Sequence, residues 1–466
     1  MQKFQPNSYT HGGGGVTHMS SKKPLLSLVC ILALSCVIEA NDITNEASKL
    51  PLNERDTNIL RVTQETTAGI TQDQHLANSR TPLQWTTNDH GNSIKYLNFS
   101  TAYRDSIAFN KFNITFSDGT TVETLKIDTK AYGNNKKVWT NIENTGSATI
   151  TTLNLKNDTK TEFNAGGKSN TITTLNHEAI RLNLKTGSGG TINVTTLNQS
   201  GTAGDTQLFN GVSIQTVNLT AGKFYQYAGT INTLHIKNGT EFRQGLKDNG
   251  MVSNDGDGGT ITNLTIDNGT FTKAKGSVTG TITNTNGNIN NMENSSINTI
   301  TSTNGNITNA GTITSLTYTA APTTKAIQTK ANTDSITNTG IITTFTNNGG
   351  HITNSGNITN LTNSNGSVNN SANIQTYTQE SGNTMQSGGT IQTLTQKGGS
   401  FTYQGGTIGS LNQEGGSFNN HQQNISLFTT QGGSLNNIQG TIENLKITSG
   451  DFELNNMQQG RIANIE

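Results

Sequence analysis

Isoleucine recurs at Ile342, Ile358, Ile374, Ile391, Ile408, Ile425 and Ile442, in steps of 16 or 17 residues. Three residues on, Phe345, Leu361, Tyr377, Leu394, Leu411, Phe428 and Leu445 keep the same steps. A third apolar column reads Ile352, Val368, Met385, Phe401, Phe418, Leu435 and Phe452. The Asn, Thr, Ser and Gly between them drift from copy to copy. Columns that stay phase-locked while their surroundings vary make each period one structural unit stacked on the next.

A seven-residue phrase, apolar at its second, fifth and seventh places, carries the pattern upstream: SIKYLNF (93–99), TVETLKI (121–127), TITTLNL (149–155), SIQTVNL (213–219), TINTLHI (230–236) and TITNLTI (260–266). Looser copies begin at Thr171 and Thr191, and TITSLTY, NITNLTN, TIQTLTQ, TIGSLNQ and TIENLKI continue it downstream. Periods are 20 to 30 residues early and 16 to 17 late, dividing the repeats into insertion-bearing coils (93–280) and minimal coils (281–466). Asn-Gly and Gly-Gly pairs separate the phrases and supply positive φ at corners. Hairpins would produce mirror-related patterns; these columns repeat in one sense, which requires parallel stacking. Apolar residues three apart break the strand period of two, so a corner lies between them. The predicted fold is therefore all-β, a parallel β-helix in the form of a three-sided β-solenoid. At ~4.8 Å per coil, about 17 coils make a rod of roughly 80 Å.

The stack is stable only as a stack. Three inward side chains contribute ~5 to 9 kcal/mol per coil, while ordering 16 residues costs at least ~16 kcal/mol. About ten inter-coil hydrogen bonds at ~1 kcal/mol each close the difference when neighbours are present. Stacked Asn338, Asn354 and Asn370 are expected to add an amide ladder.

Composition agrees with this. Charged residues are 13% and apolar ones 30%, against the usual ~25% and ~45 to 50%, which disfavours a conventional globular core. Thirty basic residues balance 30 acidic ones, so charge repulsion gives no reason for disorder. After Pro82 the sole proline is Pro322, as extensive strand pairing requires. At the N-terminus, Lys22 and Lys23 precede an apolar stretch from Leu25 to Ile38 and then Glu39, Ala40 and Asn41. This anatomy predicts a signal peptide over 19–40, with 1–18 as an upstream extension from a mis-assigned start and 41–92 as an irregular linker or cap. Both cysteines, Cys30 and Cys36, fall inside the signal.

Candidate chemistry is sparse. The eight histidines, His11, His18, His75, His90, His177, His235, His351 and His421, show no metal spacing and read as exposed turn residues. Asp255 and Asp257 read as an Asp-Gly turn, not a calcium loop. Residues 335–379 contain no charge at all. Catalytic, cofactor-binding and metal-ligating residues are accordingly assigned as none, no cofactor is expected, and an enzyme is not expected. No basic patch interleaved with aromatics points to nucleic acid. The Asn-x-Ser/Thr triplets at Asn98, Asn113, Asn218 and Asn360 are what an Asn- and Thr-rich chain produces by chance. Outward T-x-T pairs at Thr149 and Thr151, Thr171 and Thr173, Thr260 and Thr262, and Thr312 and Thr314 are of the kind that match ice. Gln392, Gly409 and Glu443 interrupt that array, so they read as strand propensity.

The signal, the cysteine-free remainder and the G-T-I-x-x-L phrases at 389–394, 406–411 and 440–445 resemble the repeat region of vacuolating-cytotoxin-like autotransporter passengers, over most of 93–466. The resemblance implies a right-handed β-helix exported by type V secretion and displayed on, or released from, a bacterial outer membrane. There it would act as a toxin-like or adhesin-like surface toward a host cell or extracellular matrix, with an outer-membrane translocator barrel as export partner. Two features depart from the family: the chain ends at Glu466 in mid-repeat without a barrel, and 41–92 holds no glycine-spaced apolar pore segment. The alternatives are a carbohydrate-active β-helix enzyme, for which Asp128, Lys130, Lys136 and Lys137 would line a charged cleft in the early coils, and a truncated, inactive remnant.

Overall fold

Each phrase hydrogen-bonds to the next copy of itself. Ile150 pairs with Ile172, Ile342 with Ile358, Ile358 with Ile374, and Ile374 with Ile391, all in parallel. The computed structural model describes residues 59–66, 69–76, 83–86, 93–101, 111–129, 138–144, 146–320 and 335–466. Among these there is no helix; parallel strands stack as a β-solenoid of about 17 turns. The chain divides into two compact units, Met1–Glu46 and Ala47–Glu466, and every described residue lies in the second. The upstream extension, the signal segment and Lys130, Lys136 and Lys137 lie outside the described residues. Within 41–92 the strands Ile59–Thr66 and Gly69–Leu76 form an antiparallel hairpin, and the second pairs in parallel with Ser93–Thr101.

The phrase strand bends at its third place. Along Ala148–Leu155 the residues Ala148, Ile150, Leu153 and Leu155 are buried while Thr151 and Thr152 both face outward, and the ladder skips the third place when pairing with its neighbours. Places one and two therefore lie on one side of the coil, and places four to seven on the next. The second column is dry throughout: Leu153, Leu175, Leu197, Val217, Leu234, Leu264, Phe345, Leu361, Tyr377, Leu394, Leu411, Phe428 and Leu445 are all buried. Aromatic rings stack within the core, Phe224 on Phe242 at 4.9 Å and Phe401 on Phe418 at 5.2 Å.

The third column is corrected at two points. Val368 pairs with Thr384, and Thr384 with Phe401, so Thr384 is the inward residue and Met385 is 37% exposed. The step from Ile374 to Ile391 is 17, but its extra residue enters at the corner around Ser387–Gly389, after Thr384, leaving the third column on a step of 16. Thr384 is tolerated inside because its hydroxyl bonds that of buried Tyr377. At the end of the chain Leu435 pairs with Leu454, while Phe452 lies opposite Gly433. The looser copy near Thr191 is also displaced: Val194, not Ile192, pairs with Ile172 and Ile214.

Two inward columns are polar. At the seventh place, His177 and Gln199 sit between apolar Leu155 and Leu219, Ile236 and Ile266 follow, and downstream the place passes to Asn284, Ser302, Tyr318, Asn347, Asn363, Gln379, Gln396, Gln413 and Thr430, all buried. The expected amide ladder runs along another column. Asn291 donates to Asn309, Asn309 to Asn338 and Asn338 to Asn354 at 2.7 Å each, then Asn354 to Asn370 and Asn370 to Gln386 at 2.6 Å. Outside, the sixth places stack Thr265, Thr283, Thr301, Thr317, Thr346, Thr362, Thr378 and Thr395 in unbroken register.

Candidate functional site

Charge concentrates on one side of the insertion-bearing coils. Parallel register places Lys160, Arg181, Asp205, Lys223 and Glu241 in one outward column. Two residues further along each strand, a second column holds Glu162, Asn183, Gln207, Tyr225 and Arg243. Opposite charges meet across coils. Arg181 grips Asp205 bidentately at 2.7 and 2.6 Å, Lys185 lies 2.7 Å from Glu162, and Lys223 lies 3.9 Å from Glu241, which also pairs within its own strand with Arg243 at 2.6 Å. The hydrogen bond to Asp205 holds the Arg181 guanidinium even more firmly protonated than usual.

An insertion between Gln244 and Gly259 folds over this side. Its ends keep the ordinary corner: the Gln244 Nε2 donates to the Gly259 carbonyl at 3.2 Å, as though the intervening residues were absent. A bridge between Leu246 and Val252 and a turn at Gly250, where φ is +80°, shape the insertion. Tyr225 donates its hydroxyl to Asp248, and Arg243 lies over the Tyr225 ring at 5.8 Å while donating to the Lys247 and Asp248 carbonyls. Lys247 pairs with Asp255 at 3.2 Å, and Lys275 donates to the Ser253 carbonyl at 2.6 Å. Tyr227 packs beside Tyr225 and against Phe209. Met251 and Val252 project from the insertion at 60% and 47% exposure.

The electrostatics keep the carboxylates of the insertion ionised. The Tyr225 hydroxyl holds the Asp248 carboxyl below its ordinary value, and Lys247 and Ser253 do the same for Asp255. Burial pushes the Tyr225 phenol upward and that of Tyr227 to about 12. A general acid needs a carboxyl pKa raised toward neutrality, and these are moved the other way.

The residues singled out from sequence are scattered. Asp257 accepts from the Gly259 amide at 2.8 Å, the expected Asx-type turn, and no group of three metal-capable side chains occurs among the described residues. Asp128 pairs with Lys126 at 3.2 Å, away from the insertion. The reading of the histidines as exposed turn residues fails at His177, which is fully buried at an inward seventh place. Its Nδ1 shares a hydrogen bond with Thr206 at 3.0 Å, its Nε2 has no partner, and burial drives its pKa down to about 4. His235 and His351 lie on strands. Sequence reasoning also passed over Lys273, 1% exposed in the amide column between Gln244 and Asn291. Burial lowers its pKa to about 8, and no carboxylate pairs with it among the described residues. The signal for it was positional: TFTK at 270–273 aligns with KFYQ at 223–226 and EFRQ at 241–244, whose last residue points inward.

Comparison with protein-family profiles, curated proteins and solved structures returns no match.

Proposed function

We propose that this chain is an exported, surface-displayed, non-enzymatic β-solenoid that presents a binding surface to a host cell or extracellular matrix. Its role would be similar to that of vacuolating-cytotoxin-like autotransporter passengers. The observation that carries the reading is the insertion-braced charged side, where a rigid stack holds Arg181, Asp205, Lys223, Glu241 and Arg243 in fixed register beneath an apolar tip at Met251 and Val252. Fixed charges around an exposed apolar tip, braced from below by buried Tyr225 and Tyr227, favour specific recognition, because little side-chain freedom is lost on binding.

Attachment of the labelled chain to cultured host cells and to matrix proteins tests this. A Met251→Asp/Val252→Asp variant, with its fold checked by circular dichroism, should lose attachment. Equal attachment by the variant, or cleavage of any member of a glycan panel by the wild type, would overturn the reading. A glycan cut at this side would favour the carbohydrate-active alternative.

A further inference from the structure

The fold gives chemically identical Asn-Gly pairs different surroundings. Eight such pairs occur in the sequence. In each, the asparagine side chain is open to attack by the next amide nitrogen, because glycine brings no Cβ to obstruct the approach. In that reaction the glycine nitrogen loses its proton to water and bonds to Cγ of the preceding asparagine. The bond from Cγ to the side-chain nitrogen breaks and ammonia leaves, closing a five-membered imide. Water then opens the ring at either carbonyl, leaving aspartate or an isoaspartate whose main chain runs through the former side chain. The reaction needs no reagent but water. What the fold controls is whether the two reacting atoms meet.

Five of the pairs can be sorted by where the glycine amide points. Gly239 donates to the Asn268 carbonyl, Gly250 to the Lys247 carbonyl at 3.0 Å and Gly287 to the Asn284 Oδ1 at 3.1 Å, so each nitrogen is turned toward a different residue. Gly211 and Gly366 instead donate to Oδ1 of their own Asn210 and Asn365, at 2.9 Å each. A nitrogen in hydrogen-bond contact with that oxygen lies beside the carbon one bond further in, the position from which the ring closes. Both asparagines are exposed, so water reaches the ring and ammonia can leave. Their glycines turn corners with φ of +76° and +100°. A Cβ on Gly366 would collide with the Gly350 carbonyl oxygen, so the corner that demands glycine also preserves the reactive dipeptide. Asn365 is the more consequential of the two. It stacks on Asn348, its carbonyl accepts from buried Asn347 Nδ2 at 3.1 Å, and it lies in the charge-free stretch 335–379. Ring opening puts a carboxylate there, and the isoaspartate product adds a carbon to the main chain of a coil held in register on both sides.

We propose that Asn365, and with it Asn210, is a site of spontaneous imide formation and deamidation that loosens its coil as the protein ages. The proposal does not depend on the host-binding reading. The folded full chain, held at mildly alkaline pH and followed by peptide mass spectrometry, should convert at Asn365 and Asn210 several times faster than at Asn238, Asn249 and Asn286. In the chain unfolded by guanidinium the five rates should converge. After ageing, protease should cut the wild type near residue 365 sooner than it cuts Asn365→Gln, whose longer side chain closes the ring far more slowly. Conversion at Asn365 and Asn210 no faster than at the other three, or a preference that survives unfolding, would overturn the assignment of the sites. Equal cutting of the aged wild type and Asn365→Gln would overturn the loosening.

Discussion

In the early coils the seventh place of the phrase is mostly Leu or Ile, the outer side is charged and an insertion is looped out. In the late coils the same place is mostly Asn or Gln, the two outward columns that are charged upstream hold no Asp, Glu, Lys or Arg from Thr270 to Asn436, and the period never leaves 16 or 17 between Ile342 and Ile442. An apolar side chain asks only for dryness and volume. An inward amide asks for partners at fixed positions, since an unmet buried donor or acceptor costs about 1 to 3 kcal/mol. Gln379, Gln396 and Gln413 each use Nε2 to reach a glycine carbonyl of their own corner and a serine carbonyl of the next coil, at 2.9 to 3.3 Å. Such a side chain works only if consecutive corners match. A Cβ on Gly399, where φ is +73°, would lie 2.2 Å from the Gly382 carbonyl oxygen and 2.9 Å from the Gln379 amide. The inward amides therefore fix the geometry of the corners they bond, and longer segments are looped out between corners that still match, as between Gln244 and Gly259.

The contrast can be broken most severely by Leu394→Asp. A carboxylate would enter a column between Tyr377 and Leu411 that offers it no cation, and a loss above ~4 kcal/mol is expected. Limited proteolysis should then cut the adjacent coils; unchanged resistance would remove Leu394 from the interior. Next comes Asn354→Leu, which strands the Asn338 donor and the Asn370 acceptor; two unmet groups cost about 2 to 5 kcal/mol in denaturant titration. Leu155→Met, a volume-conserving exchange in the apolar half, should cost less than ~1.5 kcal/mol. Equal losses from these two would erase the distinction.

Titration sharpens the comparison. His177 has a folded pKa of about 4 against an ordinary 6.5, so the unfolded chain binds more protons between those values. Its stability is complete above pH 6.5 and is lost as pH falls toward 4, by up to about 3 kcal/mol. His177→Leu should flatten that slope in urea midpoints measured across the window. Lys273 works in the same sense at higher pH. Its burial penalty is present below pH 8 and is relieved as pH rises from about 8 to its ordinary 10.5. Lys273→Gln, which extends the amide column, should raise the melting temperature at neutral pH and remove the alkaline gain; a lowered one would mean the ammonium is satisfied. The smallest effect is expected from Arg181→Ala, at about 1 kcal/mol or less for a partly buried pair still in contact with solvent.

How much of this was legible follows from what each residue must satisfy. The first two columns were readable because their corner precedes them at a constant distance in every late coil. The third was misread at Met385 because an apolar residue was preferred to Thr384, whose hydroxyl is paid for by a partner, Tyr377, that no periodicity reveals. Phe452 was misplaced because the last coils lengthen, Leu435 to Leu454 being a step of 19. His177 occupies a place the phrase itself marks as inward; its polarity alone suggested a turn. The charged side was invisible in one dimension because Arg181 and Asp205 lie 24 residues apart and meet only when coils stack.

Spin labels at Thr346→Cys and Thr429→Cys test the stacked register most directly, since these outward sixth places are joined by five successive ladder steps. The predicted separation is about 24 Å with a narrow distribution. A broad distribution centred near 50 Å, as for a flexible chain of roughly 80 residues, would contradict the account.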